Sequence, residues 1–81
     1  MEIIVYTKTG CPWCIGVTSF LKEQGMDFEE KNVTQDENLM KEMVELSGQS
    51  KAPVVVLNGT ILADTDKEAV QAFLEGEGEI I

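Results

Sequence analysis

Two cysteines, Cys11 and Cys14, stand in the segment Lys8-Thr9-Gly10-Cys11-Pro12-Trp13-Cys14, and the chain has no others. Thiols separated by two residues serve as half of a metal site, as a structural crosslink, or as a redox couple that opens and closes during turnover. Zinc takes four ligands, mostly Cys and His. With two cysteines and no histidine, a metal centre here would need a second protomer or carboxylates. A structural disulfide closing so short a loop gains little chain entropy, and 81 residues are enough to build a core without staples. The spacing therefore favours a redox couple, provided that a strand feeds a helix at the motif.

The chemistry depends on where that helix starts. Proline suits the first helical position because its missing N–H is one the helix leaves unpaired anyway. With Pro12 there, Cys11 occupies the cap position, where free backbone N–H groups and the positive end of the helix dipole stabilise a thiolate. Lys8 adds a nearby cation. Cys14 falls inside the first turn on the same face as Val17 and Leu21, so it is expected to be less exposed and less ionised. Cys11 then attacks and Cys14 resolves. Lowering a thiol from about 8.5 to about 5 raises its thiolate fraction near neutrality about thirtyfold, but a Brønsted coefficient of about 0.4–0.5 removes a similar factor of nucleophilicity. The gain is a better leaving group, so a mixed disulfide on Cys11 is resolved quickly. Trp13, between the thiols at a helix start, is expected to lie exposed as a platform for substrate.

The elements that must hold this motif can be read along the chain. Ile3-Ile4-Val5-Tyr6 is a buried strand with Tyr6 as core or strand-end packing, and Pro12 to Gln24 is a helix with Cys14, Val17, Phe20 and Leu21 inward and Gly25 as its stop. Phe28 to Asn32 reads as an edge strand. Thr34 and Glu37 have capping-box spacing ahead of an apolar face of Leu39, Met40, Met43, Val44 and Leu46 that ends at Gly48. Val54 to Leu57 is a strand, Asn58-Gly59 a type I′ turn, and Thr60-Ile61-Leu62 the returning antiparallel strand. Thr65 and Glu68 repeat the capping spacing before Ala69, Val70, Phe73 and Leu74, with Gly76 as the stop and Glu77 to Ile81 as a loose tail. The order is β-α-β-α-β-β-α in one domain spanning residues 1–81. The four methionines are expected to fill core gaps.

Fifteen acidic residues against six lysines, without arginine or histidine, give a formal charge of −9. Phosphate binding requires clustered cations, so nucleic acid is excluded as the main partner. The first apolar run, Ile3 to Tyr6, follows no basic leader and is too short for a signal peptide or membrane span, so a cytoplasmic protein is expected. The C-terminal acids read as solvated surface, whereas Lys8 and Lys51 have no acid within three residues.

Taken together, these residues resemble a small dithiol glutaredoxin of the thioredoxin-like superfamily. The likeness rests on Val5-Tyr6-Thr7-Lys8, on Cys11-Pro12-Trp13-Cys14, on Leu46-Ser47-Gly48-Gln49 followed by Ala52-Pro53, and on the Asp-containing turn before the last helix. It implies an α/β, thioredoxin-like fold: a four-stranded mixed sheet in order 2-1-3-4 with three flanking helices. It also implies a monomeric, glutathione-dependent thiol–disulfide oxidoreductase that acts on glutathionylated and disulfide-containing proteins. Glutathione would be a co-substrate, with no bound cofactor and no metal.

The same resemblance assigns roles within a glutathione site. The Ala52 backbone would pair with the cysteinyl part beside a cis Pro53, Lys8 and Gln49 would hold the glycyl carboxylate, and Thr65 and Asp66 the γ-glutamyl end. Trp13 would flank the sulfur. Two departures stand out: Ala63-Asp64 where the family usually has Gly-Gly, and Lys51-Ala52-Pro53 where it usually has Thr-Val-Pro. Asp64 brings negative charge where a glutathione carboxylate would approach, and Lys51 brings positive charge nearby. Two alternatives remain open. One is a glutaredoxin-like redoxin recharged by thioredoxin reductase and serving ribonucleotide reductase, which Ala63-Asp64 favours. The other is an iron–sulfur carrier with one Cys11 from each of two protomers, against which Pro12 argues by stiffening the motif.

Overall fold

A computed structural model describes residues 1–80. Strand β1 (Ile3–Thr7) leads into α1 (Pro12–Glu23), followed by β2 (Glu29–Asn32), α2 (Glu37–Ser47), β3 (Val54–Leu57), β4 (Thr60–Leu62) and α3 (Lys67–Gly76). The four strands form one sheet in the order β2-β1-β3-β4. β1 runs parallel to β2, with Val5 opposite Glu30, and antiparallel to β3, with Val5 opposite Val55. β3 and β4 pair antiparallel across Asn58-Gly59. Both turn residues have positive φ, 49° and 88°, as a type I′ hairpin requires.

The central strands are buried on both faces, which is why β1 and β3 read as unbroken apolar runs rather than alternating ones. Period-two alternation sends Ile3, Val5, Val55 and Leu57 to one face, where Val17, Phe20 and Leu21 of α1 and Val70 and Leu74 of α3 pack on them. Tyr6 and Val54 point to the other face and meet Val33 and Met43. The sheet is thus a middle layer, with α1 and α3 on one side and α2 on the other.

Several boundaries differ from the sequence-based expectation for identifiable reasons. β2 begins at Glu29, while Phe28 packs as a partly buried side chain against the first core. Thr34 does not cap α2: its hydroxyl accepts the Thr9 N–H at 3.1 Å, and Asp36 caps instead by accepting the Asn38 N–H at 2.8 Å. Asp66, not Thr65, caps α3, its Oδ1 accepting the Ala69 N–H at 2.9 Å. α2 turns a narrower face inward than the apolar pattern suggests. Val44 and Leu46 remain 37% and 43% exposed because a single helix covers that side of the sheet.

Gly76 lies within α3, and the chain reverses at Gly78, whose φ of 74° is the left-handed conformation a helix stop needs. The Glu79 N–H then reaches the Leu74 carbonyl at 2.9 Å, and Ile80 packs against the first core rather than belonging to a loose tail. Ile81 lies outside the described residues. Among the described residues no helix is long and apolar enough to cross a membrane.

Tyr6, buried on the α2 side, donates its hydroxyl hydrogen bond to Glu42 Oε2, which also accepts from Lys31 Nζ at 2.7 Å. This cluster ties β1, β2 and α2 together. Burial, and then the Glu42 carboxylate, push the Tyr6 phenol well above its usual range. The hydrogen bonds from Lys31 and then Tyr6 hold the Glu42 carboxyl below its ordinary 4.5, and Glu42 in turn raises Lys31 above 10.5. A depressed carboxyl contributes stability that is present above its unfolded value and is lost as pH falls through the lower folded one. For Lys31 the loss comes as pH rises through its raised value. The pair is 22% and 41% exposed, so its contribution is under about 1 kcal/mol. Glu42→Gln is expected to lower the melting temperature at neutral pH by a few degrees, with the difference shrinking as acid takes the wild-type carboxyl through its lowered folded value. Thermal melts followed by circular dichroism over this range check it.

Candidate active site

The site forms where β1 ends and α1 begins. Cys11 has extended backbone, φ −92° and ψ 107°, and is the N-cap of α1, with Pro12 in the first helical turn. Its carbonyl accepts the first helical bond, from the Ile15 N–H at 3.1 Å, and its Sγ accepts the Cys14 N–H at 3.2 Å. That amide and the positive end of the helix dipole are both directed at the Cys11 sulfur. Cys14 is 2% exposed and lies on the core face of α1, whereas Cys11 is half-buried. The two sulfurs are joined as a disulfide with the Cα atoms 5.2 Å apart. The pair is asymmetric in the sense the helix register predicts: one thiol at the surface, one behind it.

The loop presenting Cys11 is braced from several sides. The Cys11 N–H donates to the Lys8 carbonyl at 3.3 Å, and Asn32 Nδ2 of β2 donates to the Thr9 hydroxyl at 3.2 Å. A cleft of about 530 Å³ opens above the disulfide, lined by Lys8, Cys11, Trp13, Ala52, Thr65 and Asp66 together with Thr9, Gly10, Pro12, Lys51 and Asp64. Trp13 is 66% exposed, as expected of a platform rather than a core residue, and Ile15 beside it is 60% exposed. The Ala52–Pro53 peptide bond is cis, in line with the resemblance. Pro53 itself is buried and its carbonyl accepts the Thr65 N–H at 3.0 Å, which fixes the turn before α3 against the start of β3.

Gln49 does not line this cleft. Its amide braces the α2–β3 loop instead: Nε2 donates to Ser47 Oγ at 3.1 Å and to the Lys51 carbonyl at 3.0 Å, while Oε1 accepts the Lys51 N–H at 2.6 Å. Lys51, two residues further on, lines the cleft. Lys8 reaches toward the same loop, donating from Nζ to the Ser50 carbonyl at 2.7 Å. Lys51 and Asp64, the charged residues at the two departures from the family pattern, both line the cleft.

Comparisons with known proteins agree with this geometry. The glutaredoxin family model matches residues 3–62. An uncharacterized glutaredoxin-like 8.6 kDa protein in the rubredoxin operon of Clostridium pasteurianum is 34% identical over 73 residues, covering 90% of this chain and 97% of its own. The crystal structure of the thioredoxin-like protein BC3987 superposes with a TM-score of 0.80 at 32% identity, covering 89% of this chain and 99% of its own. A glutaredoxin from Archaeoglobus fulgidus superposes with a TM-score of 0.80 at 25% identity, covering 93% and 87% respectively.

In the fully reduced protein, a brief pulse of iodoacetamide at mildly acidic pH is expected to modify Cys11 and spare Cys14. Peptide mass mapping reads the result directly. Preferential labelling of Cys14 would mean that the helix start does not set the order of attack.

Proposed function

This chain belongs to the glutaredoxin family, and from that premise we propose that it is a monomeric thiol–disulfide oxidoreductase that uses glutathione as co-substrate and needs no bound cofactor. The observation that carries the reading is the position of Cys11. It caps α1 at the mouth of a cleft large enough for a peptide-sized thiol, with Cys14 buried directly behind it. Lys8 and Lys51 give this cleft positive charge for a carboxylate, and the Ala52 backbone borders it beside the cis proline.

In the first step the Cys11 thiolate attacks the glutathionyl sulfur of a mixed disulfide. A new S–S bond forms to Cys11, the old one breaks, and the repaired thiol leaves as thiolate and takes up a proton. A second glutathione then attacks the adduct, releasing Cys11 thiolate and glutathione disulfide, so that one free thiol is consumed for each thiol released from the mixed disulfide. With a protein disulfide, Cys11 forms the mixed disulfide and Cys14, once deprotonated, displaces the partner sulfur and closes the bond seen between the two cysteines.

Asp64 favours a second reading, a redoxin recharged by thioredoxin reductase and donating electrons to ribonucleotide reductase, because its carboxylate stands in the cleft and opposes an anionic ligand. The two are separated by giving the oxidised protein either glutathione with its reductase or thioredoxin reductase, each with NADPH, and following NADPH oxidation. Recharging by glutathione is the expected result, and recharging by thioredoxin reductase alone would replace the first reading with the second. Cys11→Ser is expected to lose all exchange. Cys14→Ser is expected to keep turnover on glutathionylated substrates while losing most reduction of intramolecular protein disulfides.

A further inference from the structure

The cleft is lined by charges of both signs. Lys8 and Lys51 stand on the side of the Ser50–Ala52 loop, where Lys8 Nζ is anchored on the Ser50 carbonyl at 2.7 Å. Asp64 and Asp66 stand on the turn that the Thr65 N–H ties to the Pro53 carbonyl at 3.0 Å. Asp64 lies at φ 48°, a left-handed conformation that glycine, asparagine and aspartate tolerate better than other residues. It is exposed, and among the described residues no lysine forms an ion pair with it. The α3 N-terminus would ordinarily attract an anion. Here Asp66 already supplies a carboxylate to the Ala69 N–H, and Glu68 adds another in the same turn.

Resting on the reading of this cleft as a small-thiol site, we propose that Asp64 is its specificity-determining residue. With Asp66 it makes the wall before α3 anionic. The thiol that fits best is a peptide-like zwitterion presenting an amine without an adjoining carboxylate to Asp64 and Asp66, and a carboxylate to Lys8 and Lys51. Glutathione carries a carboxylate at both ends, so it meets repulsion at the Asp64 wall that such a thiol does not. The exchange itself is unchanged: Cys11 bonds the incoming sulfur, the mixed disulfide breaks and the released thiolate takes a proton, and a second small thiol then attacks the adduct, leaving as the disulfide with the first and freeing the Cys11 thiolate.

The test uses mixed disulfides of one reporter thiol with glutathione, with glutathione amidated at the γ-glutamyl α-carboxylate, and with glutathione amidated at the glycyl carboxylate. Glutathione is the reductant throughout. The α-amide is expected to exceed glutathione in kcat/KM by about fivefold, the factor for two unit charges about 4 Å apart in water. Asp64→Asn, whose side chain tolerates the same left-handed backbone, is expected to bring the two within a factor of about two. The glycyl amide is expected to fall below glutathione by the same factor in both proteins. Raising the salt to ~1 M is expected to narrow the wild-type preference, since screening then acts over ~3 Å. Equal kcat/KM for glutathione and its α-amide in the wild type, or a preference that survives Asp64→Asn, overturns this inference alone. Absence of turnover with all three overturns both it and the proposed glutathione dependence.

Discussion

A single hydrogen bond marks the constraint on which the site depends: the Cys14 N–H donates to Cys11 Sγ at 3.2 Å, because α1 begins immediately after Cys11. A helix returns to the same face after three or four residues. Once Cys11 is the cap, Cys14 must therefore lie in the first turn, within reach of Cys11 and turned to the core with Val17 and Leu21. Starting the helix one residue later would place Cys11 beyond the reach of that amide. The difference between the thiols is thus a property of helix register before it is a property of any neighbouring charge.

Register at α1 is held in turn by the sheet. β1 is central and buried on both faces, so sliding it by one residue would exchange Val5 for Tyr6 in the core and break the Tyr6–Glu42–Lys31 cluster. From the end of β1 the chain has four residues, Lys8 to Cys11, before the first helical position. The bonds from Asn32 to Thr9 and from Cys11 to Lys8 hold this short path. The other wall is built the same way. Gln49 closes the α2–β3 loop on itself, and Thr65 pins the turn before α3 to Pro53.

The charge of the cleft differs from that of the chain around it. A formal charge of −9 repels anions at long range, but salt limits that field to about 8–10 Å. Within that distance the balance belongs to Lys8 and Lys51 against Asp64 and Asp66. A charged group inside the cleft therefore meets these four side chains before it meets the net charge of the chain.

The element order, the strand pair Ile3–Tyr6 and Val54–Leu57, the hairpin at Asn58-Gly59 and the asymmetry of Cys11 and Cys14 were all legible in the residues. Each follows from local rules: β-branched runs, two positive-φ residues in a turn, and proline at a helix start. The family likeness added the sheet order and the cis bond at Pro53. Other features needed the folded chain. Thr34 and Thr65 had the spacing of caps, yet the neighbouring aspartates took that role; the Thr34 hydroxyl accepts the Thr9 N–H instead, and the Thr65 backbone is tied to Pro53. Gln49 had the position of a ligand-binding residue, yet its amide is spent within its own loop and Lys51 enters the cleft. Such competitions are between groups far apart in the chain or folded back over a loop, and a linear pattern records which groups can bond without recording which partner arrives. Sequence alone determined what the cysteines could do. Tertiary structure decided what stands around them, because hydrogen-bonding capacity is local and its allocation is not.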